Sequence, residues 1–479
     1  MGYAGFDGGY VDLGNSVFAA SATWCLWQEG TAPTTGGQGE HIFAYVSEAM
    51  NHFEYRDGVL CAEDVPLPLI ATEVGTPVYV YSTATLRRHY KMFTAAFGDR
   101  PVTVCYALKA NSNLAIVKTL AAIGAGADVG SEGELRRALA ANVAPQQIVF
   151  SGVGKIREEI AFALTAGILQ FNIESEPELA VLSELASARG AEAQVGIRVN
   201  PDVDPNTHAK ITTGLKENKF GIEVKHVPTI YAHAANLPGI RPVSLAVHIG
   251  SQVTNIAPFR TAFADIARLT EHLRSIGHEV RRLDLGGGLG IPYSDSVPPA
   301  PMEYARAVLE TVGHLGCELV FEPGRVLVGN AGVLLTRVTY LKEGCQRRFA
   351  IVDAAMNDLV RPALYDAWHD ILPVTQALPD ARWAPIDLVG PVCETSDTFA
   401  TERQMPPLAE GDLLSFSSAG AYGAVMASTY NSRRLVPEVL VHGADRAVVR
   451  PRQSYDSMLE QDVLPHWLEG TPLQHRDLA

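Results

Sequence analysis

The chain has 479 residues, 47% of them hydrophobic, with a formal net charge of −15 from 38 basic and 53 acidic side chains. That length allows two or more domains with sizeable cores, and the acidic balance gives no footprint for nucleic acid or an anionic membrane. The six cysteines, at positions 25, 61, 105, 317, 345 and 393, include no CxxC pair; neither a zinc site nor a disulfide framework is indicated, no metal is assigned, and a reducing cytoplasm is expected.

Residues 1–40 are rich in Gly, Ser, Thr and Ala and have no clear period. No Lys or Arg precedes Arg56, so the basic start of a secretory signal is missing. The apolar run from Val17 to Trp27 is too short to span a bilayer. The expectation is a poorly ordered extension, with ordered patterning beginning at Met50. Short strand-like pieces follow at Val59-Leu60 and from Thr76 to Ser82, then a helix from Leu86 to Phe97.

From there strands and helices alternate. Strands are expected at 102–107, 127–129, 148–150, 168–173, 194–199, 243–248, 281–285 and 317–322. Helices include Glu132 to Asn142, Lys155 to Ala166 and Pro177 to Arg189, and capping-box signatures stand at Ser131-x-x-Glu134 and Ser175-x-x-Glu178. Eight β-α units over roughly 240 residues match a (β/α)8 TIM barrel better than an open doubly wound sheet. The longest interval, Pro201 to Lys219, reads as a loop on the active face that acts as a mobile lid. After residue 322 the alternation stops, and strand-like runs at 326–341, 347–353, 386–390, 411–416, 435–441 and 446–450 indicate a mostly β second domain. The expected organisation is an extension over 1–49, N-terminal strands over 50–82 that join the β domain, a barrel over 83–322 and a C-terminal β domain over 323–479.

A TIM barrel carries its site where its strands end. The first strand ends in Tyr106-Ala107-Leu108-Lys109-Ala110-Asn111, the second at Asp128 and Ser131, and the third at Ser151. The fifth ends at Arg198 and Asn200, and the sixth in His248-Ile249-Gly250-Ser251-Gln252. The seventh gives Gly286-Gly287-Gly288 and the eighth Glu322-Pro323-Gly324-Arg325. A lysine partly desolvated at such a mouth loses proton affinity and becomes a nucleophile, which points to a Schiff-base lysine carrying an aldehyde cofactor. The glycine run after the seventh strand lets backbone N–H groups approach phosphate oxygens. A carboxylate such as Glu322 can keep a pyridine nitrogen protonated; its plainer reading is an ion pair with Arg325. His248 could stack on a ring face.

Together these motifs resemble the fold-type III pyridoxal-phosphate-dependent decarboxylases over about residues 50 to 450. The match is close to members that act on meso-2,6-diaminopimelate. The resemblance implies pyridoxal 5′-phosphate as cofactor and an alanine-racemase-like barrel beside a β domain. Carried onto this sequence, Lys109 corresponds to the cofactor lysine and His248 to the ring-stacking histidine. Asp128, Gly250, Ser251, Gly287, Gly288, Pro323, Gly324 and Tyr422 belong to the cofactor-binding motifs, Glu322 is the pyridine-nitrogen partner, and Arg325 takes a substrate carboxylate. Arg361-Pro362-Ala363-Leu364-Tyr365 resembles a second carboxylate-binding segment, with Arg361 and Tyr365 on substrate. Cys393-Glu394 resembles a pair supplied by the neighbouring subunit of a homodimer with shared sites, and Tyr422 reaches phosphate and substrate.

The activity implied is loss of CO₂ from the D-configured centre of meso-2,6-diaminopimelate to give L-lysine, the last step of lysine biosynthesis. Cys393 and Lys109 are the candidate proton donors. A decarboxylase of ornithine, lysine, arginine or carboxynorspermidine on the same fold is the alternative. An amino-acid racemase fits less well, since it gains from an unprotonated ring nitrogen, and a non-enzymatic cofactor carrier would lack the β domain. The expected partners are a small amino-acid substrate and a second copy of the chain, with no nucleic acid and no membrane, in the cytoplasm.

Overall fold

A computed structural model describes residues 51–468 apart from 206, 212, 215–217 and 295. The expected N-terminal extension lies outside the described residues, as does part of the expected lid.

Four short strands precede the barrel: β1 (Phe53–Arg56), β2 (Val59–Ala62), β3 (Val65–Pro66) and β4 (Val78–Ser82). Between β3 and β4 runs a helix, Leu67–Val74, with prolines at its start. The sequence reading did not place it, because Pro66 and Pro68 look like breakers. Proline is tolerated at a helix start, where its missing N–H has no partner to lose.

The next strands are β5 (Val102–Ala107), β6 (Gly126–Val129), β7 (Ile148–Phe150), β8 (Gln170–Ile173), β9 (Ala193–Asn200), the two-residue β10 (Ile222–Glu223), β11 (Ile240–Val247), β12 (Arg282–Asp284) and β13 (Glu318–Phe321). Apart from β10, which pairs on β9, they form a closed parallel ring: β5-β6-β7-β8-β9-β11-β12-β13, with β13 returning to β5. The (β/α)8 barrel expected from the alternation is therefore present, each strand within a few residues of its expected bounds. The helices open as their caps direct. Ser131 and Ser175 accept the N–H groups of Glu134 and Glu178. The glutamates, however, reach back one residue further than a capping box requires, to the N–H groups of Gly130 and Glu174. Outward-facing residues such as Phe171, Ile173, Phe321 and Leu319 pack with the helices in one large core. Inside the ring the apolar filling is small, Cys105, Val149 and Val320, and a polar layer lies beside it.

The remaining strands are β14 (Gly332–Glu343), β15 (Arg348–Val352), β16 (Ile371–Pro373), β17 (Ala384–Val389), β18 (Thr398–Met405), β19 (Leu413–Phe416), β20 (Glu438–His442) and β21 (Asp445–Arg450). They form a mostly antiparallel sheet in the order β18-β17-β15-β14-β4-β20-β21, with β19 on β14 and β16 on β19. Strand β4 sits in the middle of it, antiparallel to β14 and parallel to β20. A second core, with Leu60, Leu67, Ile70, Val80, Leu335 and Val439, packs the first strands and their helix against this sheet. The expected run at 326–341 is corrected at its start: Arg325–Val328 is a short helix, and the strand begins at Gly332. Strands β16 and β18 were not expected.

The loop after β19 brings this sheet to the barrel mouth. Tyr422 N–H donates to Ala110 O at 2.8 Å, and Asn111 Nδ2 donates to Gly420 O at 3.1 Å. Thr213 is tied to the same face, its N–H donating to Ile249 O and its Oγ1 to His248 O.

Candidate active site

The strand ends surround a cavity of about 510 Å³, within the usual range for small-molecule sites. Lys109, His248, Ser251, Gly287, Gly288 and Glu322 line it. So do Pro323, Gly324, Arg325, Arg361, Tyr365 and Tyr422. Asp128 is buried just behind, because β5 and β6 pair Ala107 with Asp128. Gly250 packs under Pro205 and offers its carbonyl to the glycine turn, where a Cβ on Gly288 would lie 2.3 Å from it. Cys393 and Glu394 do not line this cavity; both are exposed, and Glu394 accepts hydrogen bonds from Ser396 and Tyr430.

Lys109 Nζ donates to Asp128 Oδ2 at 2.9 Å, and its side chain is half-exposed to the cavity. Its proton affinity corrects the expectation. Burial by itself lowers it, but the Asp128 and Glu322 charges and the bond to Asp128 outweigh burial and raise the pKa above the ordinary lysine value. The free side chain is therefore an ammonium, and its carboxylate partner holds it in place.

Glu322 and Arg325 do not form the ion pair that was the plainer reading. Glu322 Oε1 accepts from Ser151 Oγ at 3.0 Å and from Asn172 Nδ2 at 3.1 Å. Burial, with the charges of Asp128 and Asp284 nearby, pushes the Glu322 carboxyl well above the usual range. Arg325 instead donates to Tyr293 Oη at 2.6 Å and Ser251 Oγ at 3.2 Å, with its guanidinium 4.7 Å from the Tyr422 ring centre.

His248 Nδ1 accepts the Gly287 N–H at 3.2 Å, which leaves the ring proton to Nε2. Burial, with Arg198 and Lys109 nearby, pushes its pKa well down, so the ring is neutral. Arg198 itself is used structurally, paired at 2.6 Å with buried Glu174. The glycine turn is tight on all sides. Gly286 has φ +64°, and a Cβ on Gly287 would lie 2.2 Å from Glu322 O. No other residue type fits there without moving backbone.

Arg361 begins the short helix Arg361–Tyr365 and is buried. Its Nη1 donates to His369 Nε2 at 2.8 Å, while His369 Nδ1–H donates to Ser417 O at 2.8 Å. The Tyr293 ring lies 4.5 Å from the Arg361 guanidinium. Among the described residues no carboxylate pairs with Arg325 or Arg361, and the Nε of each is buried without a partner. Two buried cations without anions can take anionic groups that enter the cavity. Tyr293, His369, Asn172 and Asp284 were missed in the sequence. Only their hydrogen-bonding side chains and the strand-end position of Asp284 hinted at them, since their partners lie elsewhere in the chain.

An amine beside a carboxylate, a buried carboxyl, a neutral imidazole and a glycine turn fit an aldehyde cofactor with a basic ring nitrogen and an anionic arm. The model of the pyridoxal-dependent decarboxylase, pyridoxal-binding domain, matches residues 83–329. The chain is thus a pyridoxal-dependent decarboxylase, and pyridoxal 5′-phosphate is its cofactor. It is 49% identical over 419 residues to the diaminopimelate decarboxylase of Vibrio cholerae, covering 87% of this chain and 100% of that one. It is 50% identical over 415 residues to that of Pseudomonas aeruginosa, covering 87% and 99%. The crystal structure of diaminopimelate decarboxylase from Helicobacter pylori complexed with L-lysine superposes with a TM-score of 0.79 at 39% identity, covering 82% of this chain and 98% of that one. The chain belongs to the diaminopimelate decarboxylase family. No helix among the described residues is long and apolar enough to cross a membrane.

Proposed function

We propose that this enzyme removes CO₂ from the D-configured centre of meso-2,6-diaminopimelate and releases L-lysine, the last step of lysine biosynthesis. The observation that carries the reading is the pair of buried guanidiniums, Arg325 and Arg361, facing one cavity with Lys109 and without carboxylate partners among the described residues. Diaminopimelate has a carboxylate at each end, and guanidinium recognises carboxylate by paired hydrogen bonds.

Held at Lys109, pyridoxal phosphate would supply an electron sink for the charge left when CO₂ departs. The chain's own groups do the rest. Asp128 orients Lys109. Glu322 would hold the proton on the ring nitrogen, and the neutral His248 ring would cover the ring face. Ser251, Gly287 and Gly288, backed by Gly250 and by Pro323-Gly324, would receive the phosphate, with the Tyr422 hydroxyl beside them. Arg325 and Arg361 take the carboxylates, and Tyr365 closes the distal side of the cavity. Cys393 and Glu394 of a second copy complete the site: Glu394 meets the distal ammonium, and Cys393 or Lys109 returns a proton to the α-carbon. The working form is then a homodimer with shared sites, in the cytoplasm.

The test is stereochemical. Purified enzyme given meso-diaminopimelate should release CO₂ and L-lysine in equal amounts, while the L,L-isomer should release none. Equal turnover of the two isomers would contradict attack at the D-centre.

A further inference from the structure

Beneath Glu322 lies a buried polar row to which no role has been given. Asn172, on β8, directs Nδ2 at two carboxyls at once, Asp284 Oδ2 at 2.9 Å and Glu322 Oε1 at 3.1 Å. The other Asp284 oxygen accepts the Gly286 N–H at 3.1 Å, where the glycine turn begins. The row continues away from the cavity: Gln170 Nε2 donates to Asn172 Oδ1 at 2.7 Å, and Arg282 Nη1 to Gln170 Oε1 at 3.1 Å. Gly196 on β9 makes room for it, since a Cβ there would lie 2.5 Å from Gln170 Nε2. Arg282 is paired with Glu318 at 2.9 Å, so this cation is already engaged. Asp284 is buried, and among the described residues no cation is bonded to it.

We propose that Asp284 is a positioning residue for the cofactor ring: through Asn172 it fixes the Glu322 carboxyl and sets a second buried negative charge behind it, so that the ring nitrogen keeps its proton. The inference rests on the reading that Glu322 faces that nitrogen. Two carboxyls bridged by one amide in a dry site do not both ionise without a compensating cation. Burial pushes both Asp284 and Glu322 up, and the direct contact between the two carboxyls raises Glu322 further while it lowers Asp284. A pyridinium facing Glu322 is that cation, and two anions hold its proton more firmly than one. Through the Gly286 bond the same side chain also ties the glycine turn to the ring end of the site.

The test uses full-length enzyme reconstituted with pyridoxal phosphate carrying ¹⁵N in the ring, whose NMR shift reads protonation of that nitrogen directly. Wild type, Glu322→Gln and Asp284→Asn are titrated with pH. Asp284→Asn keeps the shape and removes the charge; its ring nitrogen should lose the proton about one pH unit or more lower than in wild type. Its kcat should fall about tenfold or more, with KM little changed. A wild-type ring titration in Asp284→Asn, beside a lowered one in Glu322→Gln, would overturn the role of Asp284 alone. A protonated ring in Glu322→Gln would overturn the placement of Glu322 and the inference with it. Should Asp284→Asn fail to fold, Asp284→Ser, which keeps an acceptor for Gly286 N–H, carries the same expectations.

Discussion

His369 shows how a single buried side chain prepares the site. Its Nε2 accepts from Arg361 and its Nδ1–H donates to Ser417 O, so only the neutral ring satisfies both bonds. Burial first, and the Arg361 charge second, lower its pKa to about 3. In the unfolded chain a histidine takes up its proton near pH 6.5. Between those values the unfolded state binds more protons, so stability is full above about pH 6.5 and is lost as pH falls toward 3. Each pH unit in that window costs up to about 1.4 kcal/mol. His369→Gln offers the same acceptor and donor without titrating. Denaturant unfolding at pH 7 and pH 4.5 should show wild type losing more stability than His369→Gln; parallel losses would mean the histidine is not held neutral. Residues of this kind were not legible in the sequence. Lys109, His248 and Glu322 announced themselves because each ends a barrel strand. Tyr293 and His369 stand in irregular segments, and Asn172 meets Asp284 across 112 positions of sequence. The lysine's charge state was misjudged for the same reason: desolvation was readable from Lys109 alone, whereas the opposing carboxylates belong to other strands.

At the scale of elements, the glycine turn after β12 depends on close approach rather than on chain flexibility alone. A Cβ on Gly287 would meet Glu322 O at 2.2 Å, and backbone on both sides would have to move. Gly287→Ala should therefore weaken cofactor binding by about tenfold or more, equivalent to about 1.4 kcal/mol, with the barrel still folded. Fluorescence titration of the apoprotein with pyridoxal phosphate measures it, and an unchanged affinity would show that the turn does not contact the phosphate. The barrel itself was legible because buried parallel strands read as short apolar runs between helices with their own caps. Strands β16 and β18 were not. The first is three residues ending in Pro373, and the second, Thr-Phe-Ala-Thr-Glu-Arg-Gln-Met, carries charge where an isolated strand pattern would be apolar. Their pairing with β19 and β17 stabilises them, which is tertiary context overriding local propensity.

For the whole molecule, the position of Cys393 and Glu394 carries the argument for a shared site. Neither lines the cavity of its own chain, yet the proposed chemistry needs an anion at the distal ammonium. Mixing inactive Lys109→Ala chains with inactive Glu394→Ala chains should restore activity, because a mixed dimer has one site with both defects and one with neither. No recovery, with exchange of chains confirmed, would remove Glu394 from any shared site.

Substrate choice tests the central claim most directly. Lysine lacks the distal carboxylate and would leave the buried Arg361 unpaired, a cost of about 1–3 kcal/mol or more for a charged group; sites built for such a group discriminate by up to about 10⁴ or more. CO₂ release from meso-diaminopimelate and from lysine, at matched concentrations, gives kcat/KM for wild type and for Arg361→Ala. The account predicts a large wild-type preference for meso-diaminopimelate, lost in Arg361→Ala through the diaminopimelate rate while the weak lysine rate changes little. Comparable wild-type kcat/KM on the two substrates would contradict it and leave a broad basic-amino-acid decarboxylase.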